Sequence, residues 1–162
     1  MPPIPAKDLT REVPRSPFDE LGGMPWLARM IDKVRAEAAG TLGPYTPFPG
    51  GINRQFLDVI GIEPDEFRAV VHQAATDQDV VDWLLAHRSP QAEERVAAFR
   101  AGLLRPLLPD SEWIGELEDE KRDLAVRFRD KDLSDIDNFV KVLCVEEGHP
   151  IPVVTRAVGT PL

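Results

Sequence analysis

Apolar side chains recur every three to four residues in at least five segments of this chain of 162 residues, and proline or glycine separates the segments. This interval is the period of one face of an α-helix, and such a face must be buried against other helices. The spacing therefore predicts a mainly α-helical fold, a compact bundle of several helices. The predicted helices cover, approximately, residues 24–39, 53–60, 64–75, 76–87, 89–104, 110–129 and 134–147.

Residues with capping side chains stand where several of these helices should begin. Thr76 with Asp79, and Ser134 with Asp137, have the spacing of a capping box, in which a hydroxyl group and an acid satisfy free N–H groups at a helix start. Asn53 is predicted to cap the short helix that follows a long loop.

The helix over residues 24–39 has an apolar face with charged residues around it. On a helical wheel Arg35 borders that face and Asp32 lies a little further round, whereas Arg29 and Lys33 are predicted to point to water. The apolar face itself is formed by Leu27, Met30, Ile31, Val34 and Ala38.

The two ends of the chain differ in composition from the middle. Several prolines predict an extended N-terminal arm over residues 1–15, followed by a single helical domain over residues 16–150. Residues 151–162 are predicted to form an extended tail, in which the β-branched stretch 152–158 could pair as a short strand. A lone strand needs a partner, so a homodimer joined through this tail or the arm is one hypothesis.

The net charge of −9 is unevenly distributed, because the excess of acids lies entirely after residue 60. An acidic surface repels phosphate groups, which argues against nucleic acid and anionic membranes as partners. The charge-balanced first 60 residues are the better place for an anionic or neutral ligand. Cys144 is the only cysteine, and no apolar run is long enough to span a membrane, so a cytoplasmic location is expected.

Recognisable motifs for metals and cofactors are missing from the sequence. None of the three histidines, His72, His87 and His149, has a second ligand at helical or hairpin spacing. Gly50-Gly51 is not followed by the spacing of a phosphate-binding loop, and the acidic run over residues 116–120 is typical of a solvated, salt-bridged helix face. We therefore expect neither a metal nor a cofactor.

The stretch from Asp32 to Arg54 is the region where a function competes with a structural explanation. Its loop over residues 40–52, rich in proline and glycine, is long for a compact domain, which is typical either of a functional loop or of one packed by its own aromatics. A helix start and arginines can hold an anion. The candidate ligand-binding residues are Asp32, Arg35, Tyr45, Asn53 and Arg54.

Several short motifs of this sequence form a recognisable set. They are Lys7-Asp8-Leu9-Thr10, Pro14-Arg15-Ser16-Pro17, Leu21-Gly22-Gly23, Ile31-Asp32-Lys33 with Arg35-Ala36, Gly43 with Tyr45, Asn53 with Gln55-Phe56-Leu57 and Gly61-Ile62, and Asp79 with Trp83. Together they resemble a bacterial family of domains of unknown function, numbered 5069. The resemblance covers roughly residues 7–100, with a looser match to the end, and it implies a small, free-standing bacterial protein without an assigned activity.

Three functional hypotheses remain open at the level of sequence. The leading one is a non-catalytic module that binds a small molecule or a protein through the loop and the neighbouring helix edge. The second is an enzyme of unassigned class for a small polar or anionic substrate, with Asp32 as the acid or base and Arg35 and Arg54 holding charge. The third is the homodimeric structural protein.

Overall fold

The computed structural model describes residues 5–153, and this part of the chain contains seven α-helices and no β-strand. The mainly α-helical fold predicted from periodicity is confirmed. None of these helices combines the length and the apolar character needed to cross a lipid bilayer. The helices are α1 (Leu27–Ala38), α2 (Ile52–Ile60), α3 (Pro64–Gln73), α4 (Asp77–His87), α5 (Ala92–Leu104), α6 (Ile114–Arg127) and α7 (Phe139–Glu147).

Most of the tail strand predicted over residues 152–158, from residue 154 onward, lies outside the described residues. The first four residues of the predicted N-terminal arm also lie outside them. The homodimer that depends on these segments, and the division into arm, domain and tail, stay predictions.

Two of the predicted caps have different outcomes. The capping box at α4 is confirmed, because Thr76 Oγ1 accepts a hydrogen bond from the backbone N–H of Asp79 at 3.2 Å while the Asp79 carboxylate accepts one from the N–H of Thr76 at 3.0 Å. The predicted start of the last helix at Ser134 is wrong. Asn138 caps α7 instead, since its side chain also bonds the carbonyl oxygens of Leu103 and Arg105 and so fixes the helix start against the end of α5.

The apolar core consists of two clusters of buried side chains joined by α7. The larger cluster surrounds α1 and includes Met30, Phe56 and Leu84, and the smaller one lies between α6 and α7 around Leu124. Val140 belongs to the larger cluster, whereas Val142, on another face of the same helix, belongs to the smaller. Because α7 packs against both clusters, its last turn is held close to α1.

Helix α1 is buried on nearly every face, with nine of its twelve residues inaccessible to solvent. The prediction that Arg29 and Lys33 point to water is wrong, since only 2% and 6% of their surfaces are exposed. The reason is tertiary: the loop over residues 39–51 and the end of α7 cover the face of α1 that the helical wheel assigned to solvent. Long-range packing of this kind leaves no mark in local periodicity.

Candidate functional site

Two cations lie one helical turn apart on the covered face of α1. Arg29 and Lys33 are separated by four positions, which brings their side chains to the same side of the helix. Arginine and lysine are rarely buried this completely unless they are paired with an acid. How each of the two charges is compensated therefore determines what this face of α1 can do.

The charge of Arg29 is compensated by Glu147, the last residue of α7. Its Nη1 and Nη2 atoms donate to the two carboxylate oxygens at 2.7 and 2.8 Å, the bidentate geometry that makes such pairs strong. Both side chains are almost fully buried, at 2% and 6% exposure. The pair joins α1 to α7 and carries no net charge.

The charge of Lys33 has no such partner. Among residues 5–153 no carboxylate lies within ion-pairing distance of its amine, although Glu147 and Glu37 lie close enough to attract it. Burial lowers the pKa of Lys33 to about 8, and the positive charge of Arg29 contributes to the lowering. The site therefore has one more buried positive charge than negative charge when the lysine is protonated.

The Tyr45 ring from the long loop lies over both cations. Its centroid is 5.8 Å from the Arg29 guanidinium carbon and 5.9 Å from Lys33 Nζ, within the range of cation–π attraction. The same guanidinium lies 5.5 Å from the ring of Trp26. Burial, together with the charge of Glu147, raises the pKa of the Tyr45 hydroxyl, which therefore stays protonated and can donate a hydrogen bond.

A cavity of about 190 Å³ opens beside Arg29 and Trp26, between α1, the start of α2 and α7; Lys33 and Tyr45 do not line it. Its wall is mostly apolar, and the Arg29 side chain is its one charged component. The Nε atom of Arg29 is buried and has no hydrogen-bond acceptor within the described part of the chain. The cavity is lined by Trp26, Arg29, Ile52, Phe139, Val140 and Leu143.

Trp26, the residue immediately before α1, has an unusual backbone conformation. It precedes the first residue of the helix with φ of 70°, a left-handed conformation that costs a non-glycine residue about 1–2 kcal/mol. Its indole Nε1 donates to Asn53 Oδ1 at 2.8 Å in a buried position. The predicted cap role of Asn53 is wrong, because α2 already begins at Ile52; the asparagine instead fixes the tryptophan that lines the cavity.

A second charged group occupies the adjoining face of α1. Arg15 donates three side-chain bonds to Asp32 at 2.9–3.2 Å and one to Asp77 at 2.7 Å, and Arg35 donates to Asp77 at 2.7 Å. Burial opposes the charges of both Asp77 and Arg15, but these bonds outweigh it, lowering the pKa of the acid and raising that of the arginine. Two arginines and two aspartates make this group neutral.

The five residues predicted as ligand-binding candidates separate into four places. Asp32 and Arg35 line a cavity of about 230 Å³ within the neutral group, Tyr45 lies over the cations, and Asn53 is buried behind Trp26. Arg54 lies on the surface, with 59% of its side chain exposed and Asp58 at 3.8 Å. The cavity that Asp32 lines does not include Asn53, and both oxygens of Asp32 already accept from Arg15.

Sequence reasoning missed Arg29, Lys33 and Glu147. A faint signal existed, because Trp26, Arg29 and Lys33 share one helical stripe, but nothing local indicated that a loop and a distant helix cover it. Another cavity, of about 510 Å³ between residues 131–137 and 149–153, presents a contrasting case. The buried lysine there, Lys141, is paired with Asp137 at 2.7 Å.

Comparison with known proteins agrees with the resemblance seen in the motifs. The family model described as "Domain of unknown function (DUF5069)" matches residues 11–149, which is most of the chain. No curated protein matches the sequence. The matched range includes every residue of the cationic face of α1 and of the neutral group.

Proposed function

This chain belongs to the DUF5069 family, a domain of unknown function, and we propose that it is a small-molecule-binding domain whose ligand carries an anionic group. The ligand occupies the site formed by Lys33, Arg29, Tyr45 and the adjacent cavity, which we call the cationic site. This proposal keeps the binding role predicted from sequence and moves its centre from the loop over residues 40–52 and the helix edge at Arg35 to Lys33.

The observation that carries the proposal is the uncompensated charge of Lys33. A buried ammonium group without a carboxylate partner is costly, and the depressed pKa of Lys33 reflects that cost. A bound anion would supply a negative charge close to the Lys33 ammonium group. Its binding would therefore be favoured by an electrostatic attraction that the free protein does not have. The group around Arg15 contains equal numbers of arginines and aspartates, so an anion there would meet no excess of positive charge.

The apolar cavity supports a ligand with a small uncharged body beside its anionic group. Trp26, Phe139 and Leu143 provide apolar walls, while Arg29 lines the cavity and also contacts the Tyr45 ring of the cationic site. At about 190 Å³ the cavity is smaller than the roughly 300–1,000 Å³ usual for drug-sized ligands, so it fits a small metabolite.

A thermal-shift and calorimetric titration with matched probes tests this function. Benzoate and hexanoate serve as carboxylate probes, and benzamide and hexanol serve as their uncharged counterparts. We expect the carboxylates to raise the melting temperature in a concentration-dependent way, because a ligand that binds only the folded state stabilises it by mass action. The uncharged probes should have a clearly smaller effect.

Two variants locate the binding. Lys33→Met keeps most of the side-chain length but removes the charge, and it should abolish the carboxylate effect. Arg54→Met removes an exposed cation outside the cationic site and should leave it unchanged. Equal stabilisation by charged and uncharged probes, or an undiminished response in Lys33→Met, would contradict the proposal.

A further inference from the structure

We propose a second ligand site, separate from the cationic site, that binds a small α-amino acid with an apolar side chain in its zwitterionic form. The site lies on the adjoining face of α1, between the N-terminal arm, α3 and the start of α4. It uses Asp32 and Arg35, two of the residues predicted from sequence. The inference does not depend on the proposed function, because different cations line this site.

Two adjoining cavities form the site, and Arg35 lines both of them. The first is the cavity of about 230 Å³ within the neutral group, and the second has a volume of about 350 Å³. Consecutive residues of the N-terminal arm border the two, since Pro5 and Lys7 line the first and Ala6 lines the second. A ligand that occupies both cavities would therefore extend past Arg35.

The first cavity presents both signs of charge to a ligand. Lys7, Arg15 and Arg35 line it together with Asp32 and Asp77. The side chains of Lys7, Arg15 and Asp77 are only partly buried, so a ligand can reach them. A ligand with a single charge would compete with one of the existing ion pairs. A zwitterion matches the wall better, because it offers a partner to each sign of charge.

The carboxylate of the ligand is assigned to Arg35. Its Nη1 atom donates to Asp77 at 2.7 Å, whereas its Nη2 atom is buried and has no acceptor within residues 5–153. A buried donor without an acceptor is costly, especially when it belongs to a charged group. The carboxylate would supply that acceptor. Lys7, whose pair with Glu12 at 3.4 Å is partly exposed and weak, adds a second cation at the same cavity.

The ammonium group of the ligand is assigned to Asp77. Within the described residues each of its oxygens accepts one side-chain bond, Oδ1 from Arg35 and Oδ2 from Arg15, both at 2.7 Å. A carboxylate has about four acceptor positions, so Asp77 can accept from an ammonium group without releasing either arginine. Asp32 has less capacity left, because the side chain and the backbone N–H of Arg15 already donate to it.

The second cavity suits an apolar side chain of the ligand. Small side chains form most of its wall and leave a volume that a branched aliphatic group such as that of leucine would fill, burying apolar surface. The two cavities together reach the range of roughly 300–1,000 Å³ that is usual for small-molecule sites. Beside Arg35, the second cavity is lined by Ala6, Ala38, Ala39, Val71, His72 and Ala74.

Isothermal titration calorimetry with L-leucine tests the inference on the full-length protein. We expect leucine to bind wild type, and the absence of binding at millimolar concentration would overturn the site. Glycine has the same charged groups and no side chain, so it should bind at least about tenfold more weakly because the second cavity stays empty. Equal affinities for glycine and leucine would refute the role of the second cavity.

Analogues of leucine that lack one charge test the choice of a zwitterion. 3-Methylbutylamine lacks the carboxylate and should bind at least about tenfold more weakly, since a hydrogen bond to a charged group contributes this much or more. 4-Methylpentanoate lacks the ammonium group, but the cationic site also attracts anions. It is therefore compared with leucine in Lys33→Met, where we expect the same loss. Equal affinity of either analogue and leucine would overturn the assignment.

Two variants test the two cavities separately. Arg35→Met removes the donor for the carboxylate and should weaken leucine binding at least about tenfold, with Arg54→Met as the control. Ala38→Leu fills the second cavity from an exposed position on α1 and changes no ion pair. It should weaken the binding of leucine and leave glycine unaffected, whereas Ala97→Leu, exposed on α5, should change neither. If Arg35→Met does not fold, Ala38→Leu decides the test.

The same titrations distinguish this site from the cationic site. Lys33→Met should bind leucine as wild type does while losing its response to benzoate, and Arg35→Met should show the reverse. If leucine binding is lost in Lys33→Met and kept in Arg35→Met, the zwitterion occupies the cationic site and the second site is refuted. If leucine binds as expected while benzoate has no effect on wild type, the proposed function fails and this inference stands.

Discussion

Helix α1 carries two buried charged groups on adjoining faces, and they differ in one respect. The group of Arg15, Asp32, Arg35 and Asp77 contains equal numbers of cations and anions, and direct hydrogen bonds join them. The cationic site contains two buried cations and one buried carboxylate, Glu147, while the half-buried Glu37 attracts Lys33 from the next turn of α1. Both groups are enclosed by distant parts of the chain, so burial alone does not distinguish them.

The difference in charge balance indicates different roles. A neutral network of ion pairs ties the N-terminal arm to α1 and α4, and an anion would compete with Asp32 or Asp77 for the arginines that they already bind. Within the described residues the Nη2 atom of Arg35 is buried without a hydrogen-bond partner. In the cationic site an anion adds an interaction that the free protein lacks. Substitutions that change the charge count in each group therefore test whether this distinction holds.

The largest effect is expected when the carboxylate that pairs with Arg29 is neutralised. Glu147→Gln would leave the buried Arg29 and Lys33 without their buried carboxylate, and breaking a buried pair in this way costs about 3–5 kcal/mol of unfolding free energy. Urea denaturation measures the loss. Glu146→Gln is the matched control, since it changes the neighbouring residue, whose partner Arg127 is 46% exposed. Similar losses for both variants would contradict the account of the cationic site.

A smaller loss is expected from the neutral group. Asp32→Asn removes the acid that accepts most of the Arg15 hydrogen bonds, but 27% of the Arg15 side chain is exposed, so water can partly solvate the released charge. We expect a loss of about 2–3 kcal/mol in the same denaturation experiment. Asp65→Asn, at a carboxylate that is 95% exposed, provides the control and should change little. A loss below that of the control would show that the network contributes nothing to the fold.

Periodicity was sufficient to predict most of the helices, because a stripe such as Phe67 and Val71 is recorded in local spacing. Capping chemistry was equally local at Thr76, where the hydroxyl and the acid three residues later act on the same helix turn. At the start of α7 the local signal of Ser134 was overridden by Asn138, whose amide bonds residues at the end of α5. That competition depends on tertiary structure and cannot be predicted from local spacing.

The candidate site was only partly predictable for the same reason. Tyr45 was identified because an aromatic residue in a long loop needs an explanation, whereas Arg29 and Lys33 were assigned to solvent because they lie opposite the apolar face of α1. Their burial depends on Glu147, which is 118 residues away from Arg29 in the chain. The charge imbalance of the site is a property of the assembled fold and of no single segment.

Removing the unpaired cation should stabilise the protein. At pH 7 the protonated Lys33 amine costs folding free energy, because its pKa in the folded protein, about 8, lies below its ordinary value of 10.5. Lys33→Met should therefore raise the unfolding free energy by about 1–2 kcal/mol, less than the full pKa shift implies because the contact with the Tyr45 ring is also lost. A loss of stability in this variant would contradict the interpretation that the charge of Lys33 is unpaired and destabilises the folded protein.

The pH dependence of that gain has a defined sign. Between pH 8 and 10.5 the unfolded chain binds a proton at Lys33 that the folded protein has released, so the stability of wild type rises with pH across this window. The groups that act on Lys33 are Arg29 and Glu37 on α1, Tyr45 from the loop and Glu147 on α7. Denaturation at pH 7 and pH 10.5 should show the advantage of Lys33→Met shrinking as the wild-type amine becomes neutral. If Lys33→Met is more stable than wild type by the same amount at both pH values, the gain arises from packing and not from the charge of Lys33.

The smallest effect is expected at Arg54, which is the most exposed of the five predicted ligand residues. An exposed pair such as Arg54 and Asp58 gains little Coulomb energy in water, so Arg54→Met should change the unfolding free energy by less than about 0.5 kcal/mol. In the presence of benzoate, the melting temperature of Arg54→Met should rise by as much as that of wild type. A lost response would move the anion to the exposed start of α2, where the free N–H groups of the helix and a solvated arginine would hold it. The excess charge at Lys33 would then be an unrelieved cost of the fold, and charge balance would no longer separate the two faces of α1.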